Sequence, residues 1–235
     1  MPGPIALVGS GEYTDAMLDI DKLLLDGRSR RYIQIPTAAA PEGDSSLGRW
    51  IGMGIEHAAK LGAEAVPLDV RTRNDADNPT LVDKIGDAGL IYFSGGNPLF
   101  LADTIRDTLL WQVIVERWQQ GAALGGCSAG AMAFGAWVPD IRQPTRPGRP
   151  GLGLLPQLRV LPHFDKFLGR MPDLLIRPFL RDLSGVVTVG IDEETALVGG
   201  PQTFTVQGRS SAWLIEHGHR REIPGGESIT VTKSH

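Results

Sequence analysis

Gly126-Cys127-Ser128-Ala129-Gly130 follows the apolar run Ala122–Gly126 and leads into further small residues, Ala131 and Ala133. The spacing fits G-x-S-x-G. A strand that turns sharply into a helix crowds its flanks, so small residues are needed on both sides of the serine. In return the hydroxyl stands above the sheet at a helix start, where backbone N–H groups can hold an oxyanion. That is the chemistry of acyl transfer through Ser128. A tight glycine-rich turn kept for packing alone is the plainer reading of the same letters. Cys127, the sole cysteine, is the rival nucleophile, because a thiolate attacks better than a hydroxyl. Ala129 stands where a cysteine-centred motif would need its second glycine, so Cys127 reads as a small buried neighbour.

A nucleophilic serine needs a general base, and the chain has five histidines. His163, in Val160-Leu-Pro-His-Phe164, follows an apolar run, as expected of a side chain delivered at a strand end. It is the best base. His57 lies in a helical pattern and reads as structural or surface. His217, His219 and His235 fall in polar turns or the tail, and no cysteine or carboxylate cluster makes His217-Gly-His219 a metal site. Two carboxylates compete to orient the imidazole. Glu193, in Gly190-Ile-Asp-Glu-Glu-Thr195, lies between two strand-like runs. Asp140 would give the chain order Ser–Asp–His of α/β-hydrolases, but it opens a Pro-rich excursion. The local sequence leaves both open. Gly95-Gly96, just past the run Gly89–Phe93, offers backbone amides clear of side chains as a second oxyanion donor beside the Ala129 N–H.

These groups require a scaffold. Apolar runs at Pro4–Val8, Tyr32–Ile35, Ala65–Val70, Gly89–Phe93 and Ala122–Gly126 read as strands. They alternate with helical patterns at Asp15–Leu25, Asp44 to about Ala59, a short one from Asn78-Pro79, and Leu99–Gln120 with a break near Leu109. Such alternation implies βαβ units and a largely parallel sheet covered on both faces. After the excursion Pro139–Pro156 and a predicted helix over Asp173–Leu183, short strand-like runs follow: Val186–Ile191, Thr195–Val198, Thr203–Val206, Ala212–Glu216 and Ser228–Val231. No convincing linker divides the chain. The expectation is one α/β domain over residues 1–235 with a β-rich C-terminal part.

The bulk properties narrow the function classes. The chain has 235 residues, 42% of them hydrophobic and 21% charged, with a formal net charge of −4. It is long enough for a real core and has no basic footprint for nucleic acid. Arg142, Arg146 and Arg149 gather among Pro and Gly and read as a solvated loop. One cysteine permits no internal disulfide, which fits a reducing, cytoplasmic setting. The apolar run near the start is too short for a signal peptide or a membrane span.

Four segments in order, Ser94-Gly-Gly-Asn97, Gly126-Cys-Ser-Ala-Gly-Ala131, Pro162-His-Phe164 and Gly190-Ile-Asp-Glu-Glu-Thr-Ala-Leu197, resemble peptidase family S51, which includes aspartyl dipeptidases and cyanophycinases. The likeness covers nearly the whole chain. It implies a three-layer α/β fold like that of class I glutamine amidotransferases, with Ser128 as nucleophile and His163 as base. It places Gly96 and Ala129 at the oxyanion hole, with Gly95 and Asn97 in the same substrate-facing segment. The cyanophycinase arrangement implies Glu193 as the acid, and the aspartyl dipeptidase arrangement implies Asp140. Cyanophycinases tend to carry Asp-Gln where this chain has Asn97-Pro98 and Leu161-Pro162, and their Arg-rich stretch is only partly echoed by Arg170, Arg177 and Arg181. Short peptides with an N-terminal aspartate are therefore the expected substrate. The resemblance implies no metal or organic cofactor. A small peptide and a second copy of the chain are the partners to expect, with no nucleic acid and no membrane. A Cys127-dependent amidotransferase-like enzyme and a non-catalytic binding protein on the same scaffold are the alternatives.

Overall fold

The structure, a computed structural model, describes residues 1–140, 148–166, 185–216 and 219–231. The predicted helix over Asp173–Leu183 lies outside them, as do Arg142, Arg146, Arg170, Arg177, Arg181, His217 and His235.

Five parallel strands form the heart of the molecule: β1 (Ile5–Val8), β2 (Arg31–Ile35), β3 (Glu64–Pro67), β4 (Leu90–Phe93) and β5 (Ala123–Cys127). Between them run α1 (Leu18–Leu25), α2 (Asp44–Lys60), the short α3 (Arg73–Ala76) and α4 (Pro79–Val82), then α5 (Pro98–Ile105) and α6 (Leu109–Gln119). β1, β4 and β5 are buried along their whole length, which is why they read as unbroken apolar runs rather than as alternating patterns. The expected break in the long helical stretch falls at Thr108, whose hydroxyl caps α6 by accepting from the Trp111 N–H. α5 starts at Pro98, where the missing N–H costs nothing. The Asn97 side chain caps it, accepting from the Leu99 and Phe100 N–H groups at 3.1 Å each.

The chain then adds α7 (Ala129–Ala133), a small ribbon of β6 (Trp137–Val138) and β7 (Arg149–Pro150), and seven more strands. These are β8 (Leu158–Pro162), β9 (Val187–Ile191), β10 (Thr195–Gly199), β11 (Thr203–Gly208), β12 (Ala212–Glu216), β13 (His219–Ile223) and β14 (Ser228–Thr230). The C-terminal strands divide between two sheets. β10, β11 and β14 extend the parallel sheet antiparallel, giving eight strands in the order β14-β11-β10-β1-β5-β4-β2-β3. β8, β9, β12 and β13 form a second sheet in the order β13-β12-β9-β8, with β8 and β9 parallel. The expected fold class is thus present, a largely parallel central sheet with a β-rich C-terminal part.

His219, read from the sequence as part of a polar turn, opens the strand β13. This strand is mostly exposed on the edge of the second sheet, so no apolar alternation marks it. A continuous apolar core joins Ile5, Ile33 and Ile91 of the large sheet to Val160, Val189 and Leu214 of the small one. α7 packs against both β5 and β8, and so ties the two halves of the site together. Among the described residues no helix is long and apolar enough to cross a membrane.

Candidate active site

Ser128 follows directly on β5 with φ 49° and ψ −103°, a conformation that costs a non-glycine residue about 1–3 kcal/mol. The small neighbours explain how it is accommodated. A Cβ on Gly130 would collide with the carbonyl oxygen of Phe93, and one on Gly126 would come within 2.8 Å of the Gly130 carbonyl carbon. The Ser128 N–H donates to the Val8 carbonyl at 2.9 Å. Its side chain therefore projects beyond the carboxyl end of the sheet, and the next amide, that of Ala129, opens α7.

His163 stands one residue past the end of β8, also in unusual backbone, with φ 131°. Its Nε2 lies 2.8 Å from Ser128 Oγ, so the serine O–H can donate to the ring. Parallel pairing of β8 with β9 sets Pro162 opposite Ile191. Residues just beyond the two strand ends are therefore neighbours, and Glu193 Oε1 lies 3.5 Å from His163 Nδ1. That separation is longer than a full hydrogen bond. Lys166 Nζ approaches the other Glu193 oxygen at 3.7 Å, and the Glu193 N–H donates to Asp165 Oδ1 at 3.1 Å. Asp140 lies just past β6, in the excursion.

The Ser94–Asn97 loop lies beside the serine, at the carboxyl end of β4. Gly96 has φ 137°, and a Cβ there would run into the Ala38 carbonyl, so only glycine fits. Among the described residues neither the Gly96 nor the Ala129 N–H makes a hydrogen bond to the protein, which leaves both as donors for an oxyanion. The Gly95 N–H is different. It donates to Glu12 Oε1 at 2.7 Å and is not available to a substrate. Asn97 serves structure through both its N–H, which donates to the Ala38 carbonyl at 2.8 Å, and its capping side-chain oxygen. The sequence reading missed Glu12 altogether. The available signal was a carboxylate directly after Gly9-Ser10-Gly11, at the end of the first strand.

Cys127 is fully buried and its thiol donates to Glu12 Oε2 at 2.8 Å. Burial first, and then the Glu12 charge, push that thiol well above its ordinary range. It is a buried neighbour of the elbow, poorly placed to attack. His57, expected to be structural or surface, is buried in α2 and pairs with buried Asp21 at 2.7 Å. Desolvation pushes the Asp21 carboxyl up, with His57 pulling the other way. His219 is exposed on β13. Among the described residues no group of three or more His, Cys, Asp or Glu is arranged to hold a metal ion.

A strained serine after a central parallel strand, with a histidine at hydrogen-bond distance, is the arrangement of a nucleophile-elbow hydrolase. The model of peptidase family S51 matches residues 5–206, and the chain belongs to that family. It is a serine-type peptidase. It is similar to a cyanophycinase from Nostoc sp. (strain PCC 7120 / SAG 25.82 / UTEX 2576), 28% identical over 221 residues that span 87% of this chain and 72% of that one. Among solved structures, a peptidase from an acI-B1 Actinobacterium superposes with a TM-score of 0.88 at 41% identity, over 98% of this chain and 97% of that one. A candidate peptidase E from Listeria monocytogenes EGD-e shares the fold, with a TM-score of 0.65 at 18% identity over 89% and 100% of the two chains.

Proposed function

We propose that the chain hydrolyses the peptide bond of short aspartyl peptides through Ser128, His163 and Glu193. The observation that carries the proposal is the 2.8 Å approach of Ser128 Oγ to His163 Nε2 at a strained elbow. His163 takes the serine proton as Oγ attacks the scissile carbonyl carbon, and the Gly96 and Ala129 amides hold the oxygen that becomes negative. The imidazolium hands that proton to the leaving amine as the C–N bond breaks. A water, deprotonated by His163, then releases the acid and restores the serine. Glu193 faces the protonated Nδ1 and favours the imidazolium. Such contacts tighten when substrate fills the site, which accommodates the 3.5 Å spacing.

An acidic substrate is supported by the surroundings of the loop. A cleft of about 520 Å³ opens beside Asn97, lined among others by Arg71, Arg73, Arg149 and Asp103. Arg149 pairs with Asp103, and Arg71 with Asp69 and Asp44, while Arg73 donates to the backbone carbonyls of Asp103 and Arg106 and has no carboxylate partner among the described contacts. The relatives named cyanophycinase point to cyanophycin as the competing substrate, and the departures at Asn97-Pro98 and Leu161-Pro162 are what favour short peptides over it.

The test is a panel of Asp-X, Glu-X, Asn-X and isoaspartyl dipeptides, with free amine as the readout. Asp-X should exceed Asn-X in kcat/KM by at least about tenfold, with no turnover by Ser128→Ala. Equal turnover of Asn-X would refute the acidic specificity, and release from cyanophycin without dipeptide turnover would refute the short-peptide assignment.

A further inference from the structure

Glu12 is a nearly buried carboxylate, 5% exposed, that the reaction above does not use. It bridges two elements of the site. The Gly95 N–H donates to Oε1 at 2.7 Å, and the Cys127 thiol donates to Oε2 at 2.8 Å. Each of these donors stands one residue ahead of a group that would touch the substrate: Gly95 ahead of Gly96, and Cys127 ahead of Ser128. A Cβ built on Gly95 would lie 3.1 Å from Glu12 Oε1 and 3.6 Å from Ser128 Cβ. The Gly95 backbone is thus held between the carboxylate and the nucleophile.

The strands bring this about. β1 and β5 run parallel with Val8 opposite Cys127, so the loop after β1 lies beside the elbow. The next residue, Tyr13, extends the same grip. Its hydroxyl accepts from Gln34 Nε2 at 2.9 Å and meets Ser94 Oγ at 2.7 Å. The β1 loop therefore holds Ser94 and Gly95 on one side and Cys127 on the other. A carboxylate suits the position because it only accepts, and both of its neighbours donate. Glutamine would turn an N–H₂ group towards a donor.

We propose that Glu12 is a positioning residue, fixing the separation between Ser128 Oγ and the Gly96 N–H so that the oxyanion donor is in place before substrate arrives. The proposal rests on the serine-hydrolase reading. It predicts an effect on the chemical step, because an oxyanion donor misplaced by a fraction of an ångström stabilises the transition state less while leaving ground-state binding nearly intact.

The test follows phosphonylation of Ser128 by a small alkyl fluorophosphonate, by intact mass against time and probe concentration, for the native chain, Glu12→Gln and Cys127→Ala. Glu12→Gln should lower the limiting rate about 10- to 100-fold, with the half-saturating probe concentration within about twofold. Cys127→Ala keeps the Gly95 bond and should lower the limiting rate by about three- to tenfold. A role confined to stability would reduce the fraction of protein labelled and leave the limiting rate alone. Limiting rates within about twofold of native in both variants overturn the proposal, and if Glu12→Gln does not fold, Cys127→Ala decides by the same threshold. Absence of any Ser128 adduct on the native chain overturns the serine-hydrolase reading itself, a separate result from native-like rates in the variants.

Discussion

Ser128 Oγ and His163 Nε2 lie 2.8 Å apart across 35 residues of sequence, and both residues hold a backbone conformation that side chains rarely adopt, with φ 49° and φ 131°. Each stands one residue past the end of a strand, Ser128 after β5 and His163 after β8. At such a point a sharp change of direction turns a side chain out of the sheet and towards the other strand's end. Strain of this kind persists only where the neighbours fix it, and here α7, packed against both strands, does so.

The carboxylate behind the histidine can be assigned by kinetics. Glu193 lies 3.5 Å from His163 Nδ1 and is about one-third exposed, so its field at the imidazolium is partly screened. Glu193→Gln should lower kcat about 10- to 100-fold, less than the loss of a fully buried triad acid, while Asp140→Asn should stay within about threefold. The reverse ranking would make Asp140 the orienting acid.

Gly130 is where the elbow is least tolerant. A Cβ there would meet the Phe93 carbonyl, backbone that cannot move aside without distorting β4. Gly130→Ala should cost about 1–3 kcal/mol of stability by denaturant melting and reduce activity. A native midpoint in that variant would show that the turn is looser than its geometry implies.

Much of this was legible in the sequence because the chemistry demands local patterns. Gly126 and Gly130 mark the elbow through steric need, and the fully buried strands β1, β4 and β5 announce themselves as unbroken apolar runs. Tertiary pairing was not legible. Nothing near Glu193 says that β9 runs beside β8, yet that register brings it to His163. The exposed edge strand β13 carries no apolar alternation. Glu12 contacts Gly95 and Cys127 across separations of 83 and 115 residues, beyond the reach of any local motif. The same contact removes the Gly95 amide from the oxyanion donors that its sequence position suggests.

Cys127 should be inert in the folded protein. Its sulfur is buried and its thiol is pushed well above the ordinary range, so thiolate is scarce at neutral pH. Iodoacetamide at pH 7.5 (about one unit below an ordinary thiol) should leave activity and mass unchanged until denaturant is added. Rapid alkylation with loss of activity would restore Cys127 as a nucleophile.

Alkaline pH should destabilise the fold before it affects any exposed pair. Burial pushes the Tyr13, Tyr92 and Cys127 groups upward. Above about pH 9 the unfolded chain releases these protons while the native chain keeps them, so stability falls as pH rises, by up to about 1.4 kcal/mol per pH unit for each group. The Tyr92 hydroxyl has no hydrogen-bond partner among the described residues. Tyr92→Phe should therefore match or exceed the native Tm at pH 7 and lose less of it by pH 10.5. An equal alkaline slope in both proteins would contradict the linkage.

The most direct test of the central claim is peptide mapping by mass spectrometry after brief exposure to a small fluorophosphonate, with His163→Ala alongside. An activated Ser128 predicts one adduct, on the peptide that carries Ser128, and at most trace labelling in His163→Ala. An adduct elsewhere, or equal labelling without the histidine, would contradict the account.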